Sequence, residues 1–306
     1  MLTLIRRRLL TALPTLAVVV VLSFVLMRTA PGGPFDGERP LDPATRDALM
    51  ATYGLDKPLY EQIARYVWRL AHGDFGPSLV YRDFTVTDLI ARGLPVSLTL
   101  GALALLVALL LGIGSGVLAT SRAGRITDRA LMTVATLLTS LPTFVTGPLL
   151  ALIFGLWAGW LPVSGWSDGD LRHMILPVIA LALPVAGAIA KLSRAGLATV
   201  LAQDHIRAAH ARGLGPIRIL VVHALRPALV PVASYLGPAA AGMLTGAVVV
   251  ETVFAIPGLG RYFVQGALNR DYPLVLGVVT LYAALIIIFN LLADLAYGWL
   301  DPRARQ

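Results

Sequence analysis

Residues 204–231 read DHIRAAHARGLGPIRILVVHALRPALVP, a basic stretch with glycine hinges between two long apolar runs. A basic side chain near the centre of a membrane helix costs about 2.5–3.5 kcal/mol. A span through 191–226 would bury several such side chains, so we expect this segment to lie outside the membrane. A polar segment held between membrane spans is suited to contacting another protein.

The composition is that of an integral membrane protein. Of the 306 residues, 57% are hydrophobic and 14% charged, and the mean hydropathy is +0.77. Soluble domains carry about a quarter charged residues. The chain has no cysteine, which excludes disulfides and cysteine-based metal sites. The formal charge of +8 favours cytoplasmic loops over nucleic-acid binding in such a protein.

Six apolar windows are long enough to cross a bilayer, which takes about 20 residues each. They are residues 9–27, 93–121, 130–167, 174–190, 227–250 and 273–293. The first is interpreted as a retained span, since no A-x-A site for signal cleavage follows it. An even number of spans places both termini on one side. Basic residues concentrate on that side, which predicts cytoplasmic termini: Arg6, Arg7, Arg8, Arg122, Arg125, Arg129, Lys191, Arg194, Arg207, Arg212, Arg218, Arg226, Arg303 and Arg305.

The chain divides at about residue 93 in this interpretation. Residues 1–93 would form the first span and an extracytoplasmic loop, and 94–306 the remaining five spans with the polar segment. Within the loop, Tyr60, Ile63, Val67 and Leu70 recur at helical spacing, which predicts a short amphipathic helix. Covering the span ends and docking a partner remain equally open roles for it.

Three G-x-x-x-G pairs lie inside apolar runs, and such pairs let membrane helices approach closely. They are Gly112 with Gly116, Gly155 with Gly159, and Gly242 with Gly246. The first pair superficially resembles a dinucleotide-binding loop, but it lacks the strand–turn–helix context. Helix packing is therefore the preferred interpretation.

No catalytic, metal or nucleotide site is recognisable. The lysines, Lys57 and Lys191, neither follow a glycine nor precede serine or threonine, so a Walker A loop is impossible. The histidines of the polar segment lack the spacing of a zinc pair. Glu251 falls at the end of a span, where we expect it to be hydrated. Because no carboxylate lies at mid-span, an ion-coupled carrier is disfavoured but stays open.

The polar segment predicts two short helices joined by an elbow. Asp204 lies in the first turn of a helix running to Arg212, where the helix dipole favours an acid. Gly213 is predicted as its left-handed stop. Pro216 can open a second helix at its tolerated first position, ending near Arg226.

This segment resembles the EAA loop of the inner-membrane permeases of ABC importers. The matching residues are Arg207-Ala208-Ala209, then Gly213, and Leu229-Val230-Pro231. Arg207 replaces the acid of the general pattern, which is typical of the peptide-importer branch. Other stretches resemble the oligopeptide permease B subunit family and extend the likeness over nearly the whole chain: residues 53–58, 72–78, 250–252, 257–260 and 266–272.

The resemblance implies an all-α integral membrane fold, with the six spans of an ABC type I importer transmembrane domain and a cytoplasmic coupling helix. It implies a multi-pass subunit of the bacterial inner membrane that forms half of an oligopeptide pathway. The expected partners are a second permease, two ATP-binding subunits, an extracytoplasmic peptide-binding protein and membrane lipid, with no nucleic acid. ATP hydrolysis would belong to the partner subunits, so the chain itself is expected to be neither an enzyme nor a cofactor binder.

The resemblance also implies an ATPase-coupling interface, formed by Asp204, Arg207, Ala208, Ala209, Arg212, Gly213 and Leu214. The sequence identifies no substrate path, and Glu251 and Asn290 are only suggestions for it. Dipeptides, glutathione or metal chelates remain alternative substrates. A stand-alone channel or ion-coupled carrier remains the alternative from another class.

Overall fold

The computed structural model describes residues 2–29, 42–52, 54–81 and 83–300. Tyr53 of the family motif, and Arg303 and Arg305 at the C-terminal end, lie outside these ranges. The described residues are mainly helical, and their one β-bridge is isolated, between Pro77 and Thr85. The α-helices are α1 Leu2–Thr29, α2 Pro43–Thr52, α3 Leu59–Ala71, α4 Val86–Ser121, α5 Ile126–Ser140, α6 Thr143–Leu150, α7 Leu171–Leu201, α8 Asp204–Ala211, α9 Pro216–Arg218, α10 Leu225–Ala228, α11 Val230–Val253, α12 Leu259–Leu268 and α13 Tyr272–Leu300.

Five of the described helices are long and apolar enough to cross a membrane, and a bent pair brings the number to six. The bent pair joins Ile126–Ser140 to Thr143–Trp157 at 107°. The apolar window 130–167 predicts one helix followed by a wide exit loop, and this is wrong, because the structure breaks the window into two helices after Ser140. Pro142 explains the break: proline lacks an amide hydrogen and disfavours a helical residue before it. Leu141 is accordingly extended, at φ −84° and ψ 121°.

Two compact units divide the chain. The core unit comprises residues up to 8, 98–256 and from 286 onward, and the flanking unit comprises 9–97 and 257–285. The boundary near residue 97 is close to the expected division at 93. However, 257–285 cluster with the earlier residues, which hydropathy along the chain does not reveal. The two-part division at residue 93 therefore stays a prediction.

Small residues bring α4 and α7 together in the core unit. A Cβ added to Gly112 would lie 2.6 Å from Ile189 Cβ, and one added to Gly116 would lie 2.6 Å from Ser193 Cβ. Real Cβ atoms do not approach so closely, so glycine is required at both positions. The packing role of this pair is confirmed.

The other two glycine pairs behave differently from the expectation. A Cβ on Gly155 would meet Val163, whereas Gly159 has φ +65° and no neighbour within 4 Å. Glycine at position 159 is therefore explained by its left-handed backbone conformation and not by helix packing. Gly242 likewise faces open space, whereas a Cβ on Gly246 would lie in tight contact, 3.3 Å, with Leu181 Cδ2 and in ordinary contact with Thr143.

A buried carboxylate organises the flanking unit. Asp271 is 0% exposed. Its side chain accepts hydrogen bonds from Ser78 Oγ at 2.5 Å and from the Val80 and Leu274 amides at 3.2 and 3.3 Å. An apolar cluster lies in the same unit, formed by Val86, Leu89, Ile90, Leu259, Leu274 and Val278.

The predicted amphipathic helix is present as α3. Ile63 and Leu70 are partly buried, as expected. Tyr60 and Val67 are instead exposed, at 75% and 44%. The buried polar residue of this helix is Gln62, whose amide donates to the Leu55 and Lys57 carbonyls. The helix is therefore anchored partly by hydrogen bonds to the preceding loop, which apolar spacing cannot predict.

Candidate coupling surface and pathway

The helix α8 begins and ends where the local sequence predicts. Asp204 opens it, and Gly213 follows it with φ +76°, the left-handed conformation of a helix stop. The amides of Arg212 and Gly213 donate to the carbonyls of Ala208 and His210, at 3.1 and 2.9 Å. These bonds give carbonyl groups of the last turn their partners, so α8 is a helix of two turns with a defined end.

The inner face of α8 is held by apolar packing. Ile206 is 1% exposed and Ala209 is 7% exposed. They join a cluster with Leu197 and Val200 of α7, and with Ile219, Ala224 and Ala228 of the following segment; Leu214 packs against it. Burying a side chain the size of isoleucine contributes about 1.5–3 kcal/mol. This packing seats α8 on the end of α7.

The outer face of α8 is polar and open. Asp204, Arg207, Ala208 and Arg212 are all exposed. Arg207 Nη1 lies 3.1 Å from Asp204 Oδ1, with both side chains more than 70% exposed. An exposed pair of this kind contributes little to stability, so both groups are available to a partner.

The segment after the elbow is helical, as predicted, but not uniformly α-helical. Pro216 stands at its first position. Residues Ile219–Ala224 are π-helical, and α10 then ends at Ala228 rather than at Arg226. The wider π turn lets both Ile219 and Ala224 reach the buried cluster. Sequence periodicity assumes one constant helical pitch and could not predict this.

The end of α7 is clamped to α5. Arg194 Nε and Nη2 donate to Asp128 Oδ1 and Oδ2, at 2.6 and 2.8 Å. The Gly124 amide also donates to Asp128 Oδ2, at 3.0 Å. A bidentate arginine–carboxylate pair fixes orientation as well as distance. We call Asp128 and Arg194 the α5–α7 clamp.

A pocket of about 410 Å³ opens between α5, α6, α7 and α11 of the core unit. Its walls are mostly apolar or small. The polar side chains among them are Thr139, Thr143, Lys191 and Tyr235. Lys191 Nζ donates to Thr139 Oγ1 at 2.9 Å. Lys191 is a charged side chain of a membrane-spanning helix that lines a mainly apolar pocket, which makes it a candidate functional group.

Comparison with known proteins defines the family. The sequence model of the family "binding-protein-dependent transport system inner membrane component" matches residues 108–306. The chain belongs to this family. The permease is 47% identical to the oligopeptide transport system permease protein OppB of Haemophilus influenzae, and 46% identical to OppB of Escherichia coli, with 100% of both chains covered in each comparison. It is 43% identical to the dipeptide transport system permease protein DppB of Bacillus subtilis, over 95% of this chain and 94% of that one.

Solved structures agree on the fold. A chain from inward-facing conformations of the MetNI methionine ABC transporter matches the permease with a TM-score of 0.60 and 17% identity, over 70% of this chain and 96% of that chain. An amino acid ABC transporter crystallised with histidines matches with a TM-score of 0.52 and 19% identity, over 70% and 94%. The six-span, all-α architecture of an ABC type I permease is confirmed.

The structure gathers the predicted coupling residues at one end of α7 but gives them different roles. Asp204, Arg207, Ala208, Arg212 and Gly213 form an exposed surface. Ala209 and Leu214 instead contact the permease's own apolar cluster. A helix of two turns must bury one face to stay attached, so these two residues hold α8 in place.

The two suggested pathway residues lie elsewhere. Glu251 is 0% exposed, so the expectation of a hydrated carboxylate is wrong; α11 continues to Val253 and carries Glu251 into the core unit. Asn290 lies against Gly237, where an added Cβ would come within 2.4 Å of Asn290 Oδ1. Neither residue lines the pocket. A role in the path remains a suggestion for both.

Sequence reasoning missed the clamp and the pocket. Asp128 lies among Arg122, Arg125 and Arg129, and an acid within a basic cluster was the available signal for an ion pair. The pocket has no comparable signal, since threonine, tyrosine and small residues are common in membrane helices. No group of three or more metal-ligating residues occurs among the residues described.

Proposed function

We propose that this permease is one transmembrane half of an ATP-driven peptide importer of the ABC type. The full-length similarity to permeases named for oligopeptide and dipeptide transport is the observation that carries the proposal. Its partners would be a second permease, two ATP-binding subunits outside the membrane on the cytoplasmic side, and a peptide-binding protein on the opposite side. Lipid surrounds the spans, and ATP hydrolysis takes place on the partner subunits.

The exposed face of α8 is the proposed contact with an ATP-binding subunit. An exposed alanine at position 208 allows a partner backbone to approach closely, and Arg207 and Arg212 supply donors. The inner face keeps α8 attached to α7 through Ile206 and the apolar cluster. A push on α8 would therefore move α7 with it.

The clamp extends this mechanical path. Because Arg194 holds Asp128 by two hydrogen bonds, a displacement of the end of α7 is passed to α5. The same displacement is passed to α4 through the tight contact of Gly112 and Gly116 with α7. Nucleotide-driven closure of the ATP-binding subunits would then shift these helices as a group. Such a shift is rigid-body switching between two states.

Peptide uptake into proteoliposomes tests the proposal. The permease, its second permease, both ATP-binding subunits and the binding protein are reconstituted, and a labelled oligopeptide is offered from the binding-protein side. We expect uptake that depends on ATP. The variant Ala208→Glu should lose at least nine-tenths of this uptake, because a charged side chain then separates α8 from its partner.

Ala123→Glu is the matched control. Ala123 is exposed in the turn between α4 and α5, and the substitution introduces the same charge outside α8. We expect near-normal uptake from it. Full uptake by the Ala208→Glu importer would contradict the coupling role. Transport by the permease alone, driven by an ion gradient without ATP, would instead identify a carrier.

The proposed orientation places both termini and α8 in the cytoplasm. The natural chain has no cysteine, so a single cysteine can be introduced without background. Ala211→Cys on the exposed side of α8 should react with a membrane-impermeant maleimide only in inside-out vesicles. Reaction in intact cells would overturn the orientation.

A further inference from the structure

We infer that the pocket of the core unit binds the carboxylate end of the transported peptide, with Lys191 as its charged contact. The inference rests on the proposed function, since it names a subsite of the same pathway. Its basis is the juxtaposition of one ammonium group and three hydroxyl side chains in a pocket bounded by four helices.

Lys191 has donor capacity to spare. An ammonium group offers three N–H donors, and Thr139 Oγ1 takes one of them at 2.9 Å. In the part of the chain that the structure describes, Lys191 forms no ion pair. The neighbouring ion pair does not involve Lys191, since Arg194, three residues further along α7, is paired with Asp128. A carboxylate entering the pocket would find a cation without a counter-ion.

The other walls suit a peptide of any sequence. Thr143 and Tyr235 carry neutral hydroxyl groups that can donate to, or accept from, peptide backbone groups. The remaining lining residues are apolar or small: Leu181, Pro184, Val185, Ala188, Gly242, Met243 and Gly246. Gly242 has no atom within 4 Å of the position of an added Cβ, which leaves the pocket open there. About 410 Å³ falls within the usual range for a small-ligand site, so it would hold the end of a peptide.

Every oligopeptide that ends in a free carboxylate shares this group, whatever its side chains. Lys191 and the three hydroxyl groups can therefore bind the C-terminal carboxylate and the backbone of a peptide without contacting specific side chains. The position of Lys191 along α7 also matters. Lys191 lies 20 residues beyond Leu171, which at 1.5 Å per residue is about 30 Å, the thickness of the hydrocarbon core. In the proposed orientation, the site lies at the cytoplasmic end of the path.

A lysine near the end of a span can instead direct its ammonium group to the lipid headgroups. The contact with Thr139 and the place of Lys191 in the pocket wall argue for the peptide over the lipid. Anionic lipid binding is therefore an outcome that the test must distinguish.

Photo-crosslinking of the assembled importer in neutral-lipid nanodiscs, without the binding protein, tests the site directly. The probe is a pentapeptide with a free C-terminus and a benzophenone side chain next to it. We expect the label on the pocket, with Met243 as the reactive neighbour. An unlabelled free-acid peptide should compete at about one-tenth of the concentration needed by the same peptide with a C-terminal amide.

Three variants separate charge from packing. Lys191→Gln keeps a donor for Thr139 but removes the charge, and it should abolish the difference between acid and amide. Lys191→Arg should preserve the difference. Arg129→Gln removes an equal charge from an exposed position of α5 and should change nothing. If Lys191→Gln fails to assemble, the inference is still tested by the acid–amide comparison and by the position of the label in the natural importer.

Equal competition by acid and amide in the natural importer would overturn the inference, as would an unchanged acid–amide ratio in Lys191→Gln. Loss of labelling on adding anionic lipid would assign Lys191 to lipid and also overturn it. Failure of ATP-dependent uptake by the natural importer is a separate result and counts against the proposed function instead.

Discussion

Replacing Gly196 by alanine tests whether the attachment of α8 to α7 depends on the close backbone contact between α7 and α10. A Cβ at this position would lie 2.2 Å from the carbonyl oxygen of Ala228 and 3.1 Å from its carbonyl carbon. An ordinary contact needs about 3.5 Å, so α7 and the end of α10 must separate by roughly 1 Å. The obstacle is backbone, which no rotamer change relieves.

The expected cost follows from this geometry. Overpacking of this kind destabilises by about 1–3 kcal/mol. Removing a helical glycine recovers about 0.5–1 kcal/mol. We therefore expect a net loss of about 1–2 kcal/mol and a midpoint of thermal unfolding lower by a few degrees. Because Ala228 of α10 belongs to the apolar cluster that holds α8, peptide imported per ATP hydrolysed should fall as well.

Gly114→Ala is the matched control. Gly114 lies in α4 and has no atom within 4 Å of an added Cβ, so only the gain in helix propensity applies. Thermal unfolding of the purified importer in detergent compares the two variants, and uptake with ATP hydrolysis is measured in proteoliposomes. If Gly196→Ala unfolds at or above the midpoint of Gly114→Ala, the close contact between α7 and α10 is refuted.

Three further predictions concern single contacts. Asp128→Asn should lower peptide uptake several-fold while the ATP-binding subunits still bind, because the clamp loses its ion pair and one of the two oxygens that accept from Arg194; equal uptake per ATP in variant and natural importer would refute this. Ile206→Ala should destabilise the importer by about 2–4 kcal/mol and weaken retention of the ATP-binding subunits on a permease column, whereas unchanged retention would show that the buried face does not seat α8. Asp271→Ala leaves the Ser78 hydroxyl and two amides without their acceptor, so we expect a loss of about 1–3 kcal/mol in thermal or denaturant unfolding; an unchanged midpoint would mean that water replaces the carboxylate.

The coupling segment separates local from tertiary information. Asp204, Gly213 and Pro216 act through backbone geometry within one or two turns, and their helix start, stop and restart were predictable from neighbours along the chain. The division of α8 into a buried and an exposed face was not. Ala208 and Ala209 are identical residues, and only the position of α7 decides that Ala209 is buried while Ala208 is exposed.

The spans show the same division. Apolar length and the distribution of arginine were enough to predict six membrane segments, because the bilayer imposes one length and one polarity on every span. The bend of 107° at Leu141–Pro142 depends on how α6 packs after the proline. Grouping of residues 257–285 with 9–97 joins parts of the chain that are far apart in sequence.

The sequence by itself thus determined the membrane class, the number of spans, the local form of α8 and, through its motifs, the family. Each of these depends on residues close together in the chain or on a property summed over a window. The tertiary structure alone decided that Arg194 meets Asp128, that Glu251 is buried, and that Lys191 faces a pocket with Thr139. These facts depend on the rotation of each helix about its axis, which packing between distant segments sets and which hydropathy leaves open.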